Sequence, residues 1–154
     1  MSSLNDQLQA ALKDAMREHD ELRRDTLRMA ISAAYNAEKA ARRPLTDDEV
    51  IGVLAREVKT RRESIDAYEA AGRPDLAAKE RAEAEVLAGF LPAQLSEEEI
   101  RALVADAIAQ TGASSPKDMG RVMALVAPRT KGRADGKVVS GIVTAELARV
   151  AGGG

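Results

Sequence analysis

Apolar residues recur every three or four positions along most of the chain, which is the period of an amphipathic α-helix. The first stripe runs from Leu4 to Met16 and the last from Val138 to Leu147. Ala, Leu, Glu, Arg and Lys dominate, and no segment alternates apolar and polar residues as a half-buried strand does. The pattern predicts an all-α protein with seven helices.

Short-range signals predict where several helices begin and end. Thr46 and Ser96 each open a capping box with a glutamate three residues later, and Ser115, which precedes a proline, also indicates a helix start. Asp135 is predicted to cap the seventh helix. The sixth helix is expected to end at Pro128, because proline lacks the amide hydrogen that continues a helix.

The predicted helices fall into two groups. Four helices joined by short turns in residues 1–91 predict an antiparallel bundle or a pair of helical hairpins. The first two helices are separated by Glu18–Glu21, which contains neither Gly nor Pro and fits a kink or a tight turn equally well. Residues 92–151, which follow the restrained Leu91–Pro92 step, predict a three-helix domain. Residues 152–154 are expected to be a flexible tail.

Charge is distributed unevenly along the 154 residues, whose net charge is -2 at pH 7. Residues 117–137 contain six Lys or Arg and two Asp, a local charge of +4, which leaves -6 for the remainder. A basic stretch in a mildly acidic protein predicts a local contact with an anionic partner rather than wrapping of nucleic acid. Only three aromatic residues occur, so binding of single strands on a row of stacked aromatic side chains is not expected.

Composition excludes several kinds of site. The absence of cysteine excludes disulfides, thiolate metal sites and a cysteine nucleophile, and the single histidine, His19, excludes a histidine metal cluster. No Walker-type phosphate loop, nucleophile elbow or nucleophile–base pair occurs. We therefore predict no metal, no cofactor and no catalytic residues. No apolar run approaches the roughly 20 residues of a membrane span and no signal-peptide pattern occurs, so a cytoplasmic protein without membrane contact is expected.

The acidic residues have structural explanations. The acids that follow Thr46 and Ser96 lie in predicted first turns, where they complement the helix dipole. Glu80, Glu83 and Glu85 are predicted to form a solvated flank of the fourth helix. None of these groups predicts a pair of catalytic acids.

The segment Pro128–Gly136 has features of an anion-binding loop. It is basic and glycine-rich and contains no large apolar residue, so it is expected to stay in water rather than to pack. Arg129, Lys131 and Arg133 stand at alternate positions, and the start of the following helix would add free amides on the same side. Such donors suit RNA phosphates. Composition alone also fits a solvated loop whose glycines only make the turn.

Three stretches carry a family resemblance: FLPAQLSEEEI (residues 90–100), GASSPKDMGRVM (112–123) and KGRADG (131–136). They resemble the GatB/YqeY family, which comprises small YqeY-like proteins and the tail domain of the B subunit of glutamyl/aspartyl-tRNA amidotransferase. The resemblance implies an all-helical protein with a C-terminal tail-like domain. In the amidotransferase the similar tail domain helps hold tRNA, while a separate cradle domain and a separate amidase subunit perform the chemistry.

The resemblance implies a non-catalytic tRNA-binding module whose contacts lie in the family's loop motif and beside it. The residues assigned to RNA contact are Lys117, Gly120, Arg121, Arg129, Lys131, Gly132, Arg133, Asp135, Gly136 and Lys137. One alternative is a protein-interaction adaptor that docks on a larger enzyme and so joins a larger protein complex. A second is the family's carbon–nitrogen ligase activity with glutamine as amido-nitrogen donor, although no residues here would support an autonomous catalyst.

Overall fold

The computed structural model describes residues 3–153, which are almost entirely helical. The helices are α1 (Leu4–Arg17), α2 (Glu21–Ala41), α3 (Asp47–Ala70), α4 (Pro74–Ala88), α5 (Glu97–Thr111), α6 (Met119–Thr130) and α7 (Gly136–Gly153), with a 3-10 turn at Pro116–Asp118. No strand occurs within residues 3–153, and the all-α prediction is confirmed. The chain divides into two compact units, an N-terminal unit (Met1–Pro92) and a C-terminal unit (Ala93–Gly154).

Each unit has its own apolar core. In the N-terminal unit the four helices contribute Leu8, Leu27, Leu54 and Leu87, one from each, and all four side chains are fully buried. Full burial of a leucine is worth about 1.5–3 kcal/mol, so this cluster holds the four helices together. In the C-terminal unit the core is built mainly from the valines of α5, α6 and α7, together with Leu147.

A tight turn, not a kink, joins α1 and α2. The Asp20 amide donates to the carbonyl of Ala15 at 2.9 Å, and the Asp20 carboxylate accepts the Arg23 amide at 3.1 Å. His19, an exposed residue between the two helices, has φ +56. A left-handed histidine therefore makes the reversal that glycine commonly makes, which explains why no Gly or Pro marks this turn.

The predicted helix starts at Thr46, Ser96 and Ser115 are confirmed. Each side chain accepts a backbone amide, and the carboxylate three residues later accepts the cap residue's own amide. After Ser115 the first turn is a 3-10 helix, and α6 begins at Met119. These caps form because their donors and acceptors lie within one helical turn of sequence.

The predicted end of α6 at Pro128 is wrong, because α6 continues to Thr130 with Pro128 inside it. Proline removes only its own amide hydrogen, and the following residues can still donate. The Lys131 amide donates to the Ala127 carbonyl at 3.0 Å, and the buried Thr130 hydroxyl donates to the Val126 carbonyl at 3.1 Å. The last turn of the helix is therefore retained.

The end of α7 also differs from expectation, because the helix runs to Gly153. Residues 152 and 153 are helical where a flexible tail was expected, and Gly154 lies outside the described residues. Glycine lowers helix propensity by about 1 kcal/mol relative to alanine but keeps its amide, so it can extend an existing helix by bonding four residues back.

The predicted solvated flank of α4 is wrong at Glu83. Glu83 is only 8% exposed, and its Oε2 lies 3.3 Å from Nε of Arg61 on α3, which is 6% exposed. The contact is an ion pair without hydrogen-bond alignment at Nε, whereas Nη1 of Arg61 donates to the Glu57 carbonyl at 3.1 Å. A charge enters a protein interior only with a partner, and each of these residues supplies it for the other. Glu80 is half-buried, and Glu85 is exposed as predicted.

The start of α3 includes a carboxylate held in an ion pair. Nη1 and Nη2 of Arg43 lie 2.7 and 2.9 Å from the two carboxylate oxygens of Glu49, and the Thr46 amide donates to the same carboxylate at 3.2 Å. The hydrogen bonds from Arg43, followed by the bond from the Thr46 backbone, lower the pKa of Glu49 from its ordinary 4.5 to about 2.

The lowered pKa of Glu49 predicts a pH-dependent contribution to the stability of the N-terminal unit. Because the folded state favours the carboxylate, the contribution is present above pH 4.5 and is lost as the pH falls toward 2. Urea unfolding between about pH 5 and 2 should therefore show a shallower loss of stability in Glu49→Gln than in the wild type. Glu63→Gln, an exposed acid on the same helix, is the control and should follow the wild type. Parallel pH curves for Glu49→Gln and the wild type would contradict the prediction.

Candidate nucleic-acid interface

Residues 131–135, called loop 131–135 below, connect α6 and α7 and hold much of the predicted site. The amides of Arg133 and Ala134 both donate to the Thr130 carbonyl, at 2.9 and 3.1 Å. Gly132 is buried and has φ +73, a conformation in which a side chain would be strained. The loop is therefore a tight turn with a defined conformation.

The expectation that this loop stays unpacked in water is wrong. Ala134 packs against the core of the C-terminal unit. Three hydrogen bonds, called the linker–loop bonds below, join residues 93–95 to the loop: Leu95 N to Arg133 O (2.8 Å), Gln94 Nε2 to Gly132 O (2.9 Å) and Arg133 Nε to Ala93 O (3.0 Å). Loop backbone groups that leave water need partners, and a distant segment provides them.

Two of the predicted arginines are paired with nearby acids. Nη2 of Arg121 lies 2.9 Å from Oδ1 of Asp118, and Nη1 donates to the Thr111 carbonyl at 3.1 Å. Nη1 of Arg129 lies 3.3 Å from Oδ2 of Asp106. Exposed pairs of this kind are worth at most about 1 kcal/mol, so they reduce the local positive charge without fixing the side chains firmly.

Unlike these two arginines, the lysines of the predicted site are not paired with acids of the described chain. Lys117, Lys131 and Lys137 are exposed, and none of them forms an ion pair with another residue in the range 3–153. Their ammonium groups are the cations of the predicted site that remain available to an anionic partner.

The predicted residues are not all brought together. Lys117 lies in the 3-10 turn before α6, and Gly120 and Arg121 lie in the first turn of that helix, while the others lie at its last turn or beyond. The helical rise places Arg121 and Arg129 about 12 Å apart along the axis. Met119 Sδ lies 3.9 Å from the Thr144 hydroxyl, so the start of α6 is beside the middle of α7, away from the first turn of α7. The site is thus divided into two groups.

Asp135 caps α7 as predicted. Its Oδ1 accepts the Lys137 amide at 2.9 Å, and its carbonyl accepts the Val139 amide at 3.0 Å. The carboxylate places a negative charge where the helix dipole would otherwise attract an anion, so the helix start is a poorer phosphate site than expected. Gly136 and Gly120 are exposed, and a Cβ at either would meet no atom within 4 Å.

Two carboxylates near the predicted cations are held in their charged form. The amide of Ser114 is the main cause of the lowered pKa of Asp118. The amide and hydroxyl of Ser96 lower the pKa of Glu99, and the charge of Arg133 adds a smaller contribution. Both groups are ionised at neutral pH and offset part of the local positive charge.

Sequence reasoning missed the role of Gln94. Its side-chain amide bonds the backbone of the basic loop, 38 residues away. The residue lies in the FLPAQLSEEEI stretch that carries the family resemblance, but no charge or spacing marks it as part of a site.

Neither a metal centre nor a membrane span is found in the part of the chain that the structure describes. Among residues 3–153 no group of three or more His, Cys, Asp or Glu is placed to hold a metal ion. No helix in that range combines the length and apolar character needed to cross a bilayer. The expected cytoplasmic location stays a prediction.

Comparison with known proteins establishes the family. The family model described as Yqey-like protein matches residues 5–147. A relative from Pyrenophora tritici-repentis named "Altered inheritance of mitochondria protein 41, mitochondrial" is 34% identical over 137 residues, which is 86% of this chain and 75% of the relative. An uncharacterized protein of Schizosaccharomyces pombe is 33% identical over 85 residues, 55% of this chain and 69% of the relative. The chain therefore belongs to the Yqey-like protein family.

Proposed function

We propose that this protein is a non-catalytic module that binds tRNA through phosphate contacts at loop 131–135 and the first turn of α7. One observation carries the proposal: Lys131, the first residue of a loop of defined conformation, and Lys137, in the first turn of the following helix, are exposed cations without ion-pair partners in the described chain. Lysines so placed attract RNA phosphates whatever the base sequence.

The resemblance to the tail domain of the amidotransferase B subunit supports the choice of tRNA, because that domain helps hold tRNA. Within the predicted site we assign the main phosphate contacts to Lys131 and Lys137. Arg129 is a secondary contact that would exchange its pairing with Asp106 for a phosphate. Lys117, just before α6, and Arg121, in its first turn, would contact only a partner large enough to reach both ends of that helix.

The composition of the C-terminal unit favours a folded RNA over a single strand. All three aromatic residues of the chain, Tyr35, Tyr68 and Phe90, precede residue 93. Without aromatic side chains the unit has no platform on which unpaired bases could stack. Contacts to the backbone of a structured RNA remain, and these recognise shape and charge.

A double substitution tests the phosphate contacts. Lys131→Gln/Lys137→Gln should bind tRNA about tenfold more weakly at low salt, and the slope of log affinity against log salt should fall by about 2, because two phosphate contacts are lost. Fluorescence anisotropy of labelled tRNA at several salt concentrations measures both quantities.

The matched control is Lys13→Gln/Lys79→Gln, which makes the same charge change at exposed positions of the N-terminal unit. It should retain the wild-type affinity and slope. Equal losses in the two double variants would show that only overall charge matters. Absence of binding by the wild type at low salt would contradict the proposal itself.

A protein-interaction adaptor is the second candidate, and the N-terminal unit supplies the observation that favours it. Met16, Met29 and Tyr35, on α1 and α2, are 48%, 44% and 60% exposed. Contiguous apolar patches mark surfaces that contact other proteins, and these three side chains are the large exposed apolar groups among the unit's described residues around which such a contact would form. Affinity capture with and without nuclease separates the candidates: partners that survive nuclease and are lost in Tyr35→Ser favour the adaptor, whereas nuclease-sensitive capture favours RNA binding.

Carbon–nitrogen ligase activity is the third candidate. It predicts glutamine-dependent amidation of misacylated tRNA by the purified protein alone. The chain contains no cysteine, and its single histidine lies in the exposed turn between α1 and α2. An assay without product would remove this candidate.

A further inference from the structure

We infer that Gln94 and Arg133 are positioning residues, which hold loop 131–135 in the conformation that presents Lys131 and Lys137 to RNA phosphates. The inference rests on the proposed RNA contact and concerns residues that act through the loop rather than on the RNA. It assigns a role in RNA binding to Gln94, a neutral residue outside the basic stretch. It also replaces the phosphate contact predicted for Arg133 with a role in holding the loop.

The linker–loop bonds join the two segments in both directions. Gln94 Nε2 and the Leu95 amide donate to the carbonyls of Gly132 and Arg133, at 2.9 and 2.8 Å. In return Arg133 Nε donates to the Ala93 carbonyl at 3.0 Å. Reciprocal bonds at three successive residues fix the register of one segment against the other, so the loop backbone cannot shift while all three are kept.

The guanidinium of Arg133 is directed at the protein. Besides the bond from Nε to Ala93, its Nη1 donates to the Arg129 carbonyl at 3.3 Å, and the residue is half-buried. Binding a phosphate side-on through Nε would break the bond to Ala93, and turning the guanidinium toward solvent would also break the bond to Arg129. Arg133 therefore serves to close the loop, although its charge identifies it in the sequence as a phosphate contact.

Gln94 bonds to Gly132, the residue that reverses the chain after Lys131. Lys131 has an extended backbone, with φ -58 and ψ 124, and Gly132 then reverses the chain with φ +73. The carbonyl of Gly132 is the group that Gln94 holds. Without that bond the reversal is less firmly fixed, and the apparent affinity for a ligand falls in proportion to the fraction of molecules in the competent conformation.

The first test is Gln94→Ala, which leaves every charge in place. Loss of the bond from Gln94 to Gly132 shifts the equilibrium between the open and the competent loop by about threefold to tenfold, and tRNA affinity should fall by up to that factor, in full when the open loop becomes the major form. The salt slope should equal that of the wild type, because the number of phosphate contacts is unchanged. Gln9→Ala, at an exposed position of α1, is the control and should bind as the wild type does.

The second test separates positioning from direct contact at Arg133. Lysine keeps the positive charge but cannot reach both carbonyls with one ammonium group. A positioning role predicts that Arg133→Lys loses nearly as much affinity as Arg133→Ala, with both slopes unchanged. A phosphate contact predicts that Arg133→Lys retains its affinity and that Arg133→Ala lowers the slope by about 1.

A third measurement requires no RNA. Amide hydrogen exchange at Leu95 and Ala134 should be about threefold to tenfold faster in Gln94→Ala than in the wild type, because the bonded loop opens more often. Unchanged exchange overturns the inference.

The outcomes distinguish this inference from the proposed function. If the wild type binds tRNA and the double lysine variant loses affinity while Gln94→Ala does not, only the positioning role is overturned. If the wild type does not bind tRNA at low salt, both are overturned. A weakened Gln94→Ala with a wild-type salt slope and faster exchange supports both.

Discussion

Replacing Glu83 with alanine should lower the free energy of unfolding of the N-terminal unit by up to about 3–5 kcal/mol, because the buried charge of Arg61 then keeps only its longer contact with Glu57, at 3.7 Å. Glu83 and Arg61 are 8% and 6% exposed, so water has little access to replace the carboxylate. Single domains are commonly stable by only about 5–15 kcal/mol, and a loss of this size should leave the unit close to unfolding. Amide hydrogen exchange in α3 and α4 is the suitable measurement, because the two units need not unfold together.

The control for this prediction is Glu85→Ala, at an exposed position on the same helix. Its effect should remain within about 0.5 kcal/mol. A double variant, Arg61→Met with Glu83→Leu, removes both charges and should recover most of the lost stability, since apolar residues of similar size often replace a buried ion pair without cost. If Glu83→Ala were as mild as Glu85→Ala, the pair would not be the buried charge contact described above.

Replacing Leu147 with alanine should lower the free energy of unfolding of the C-terminal unit by about 2–5 kcal/mol. Leu147 is fully buried, and the other buried members of its cluster are valines and alanines apart from Ile100. A unit of about 60 residues buries only about 60% of the surface that its unfolded chain exposes, less than a larger domain does, and has little stability to lose. Thermal unfolding followed by circular dichroism should show an early transition, and the proposed tRNA binding should be lost with it.

Val138→Ala is the control for the substitution at Leu147. Val138 lies on the same helix and is 40% exposed, so its truncation should change stability by about 0.5 kcal/mol or less. Wild-type exchange protection of α6 and α7 in Leu147→Ala would mean that this side chain does not hold the three helices together.

The features that could be predicted from the sequence are those that depend on neighbouring residues. The caps at Thr46 and Ser96 follow from a hydroxyl and a carboxylate three positions apart, and the apolar period follows from helix geometry. The end of α6 also depends on neighbouring residues, yet the prediction for it is wrong. There Pro128 was expected to stop a helix whose later amides still had acceptors within reach.

The features that could not be predicted depend on residues far apart in sequence. Glu83 lies four residues before Leu87 and therefore on the buried face of α4, but its burial also requires Arg61 on another helix, which the period of α4 does not show. In the candidate site the sequence identifies the charged residues, but it does not show which of them face solvent and which bond the protein itself. Whether Arg133 faces a partner or its own backbone depends on a carbonyl 40 residues away.

The linker–loop bonds also determine where the C-terminal unit can be excised. The capping box at Ser96 is the strongest local signal for its beginning, and a fragment designed from that signal would start there. Such a fragment would lack the carbonyl of Ala93 and the donors of the next two residues, so the turn after α6 would lose all three partners. A fragment that keeps all three bonds must begin no later than residue 93, three residues before the first helix cap of the unit.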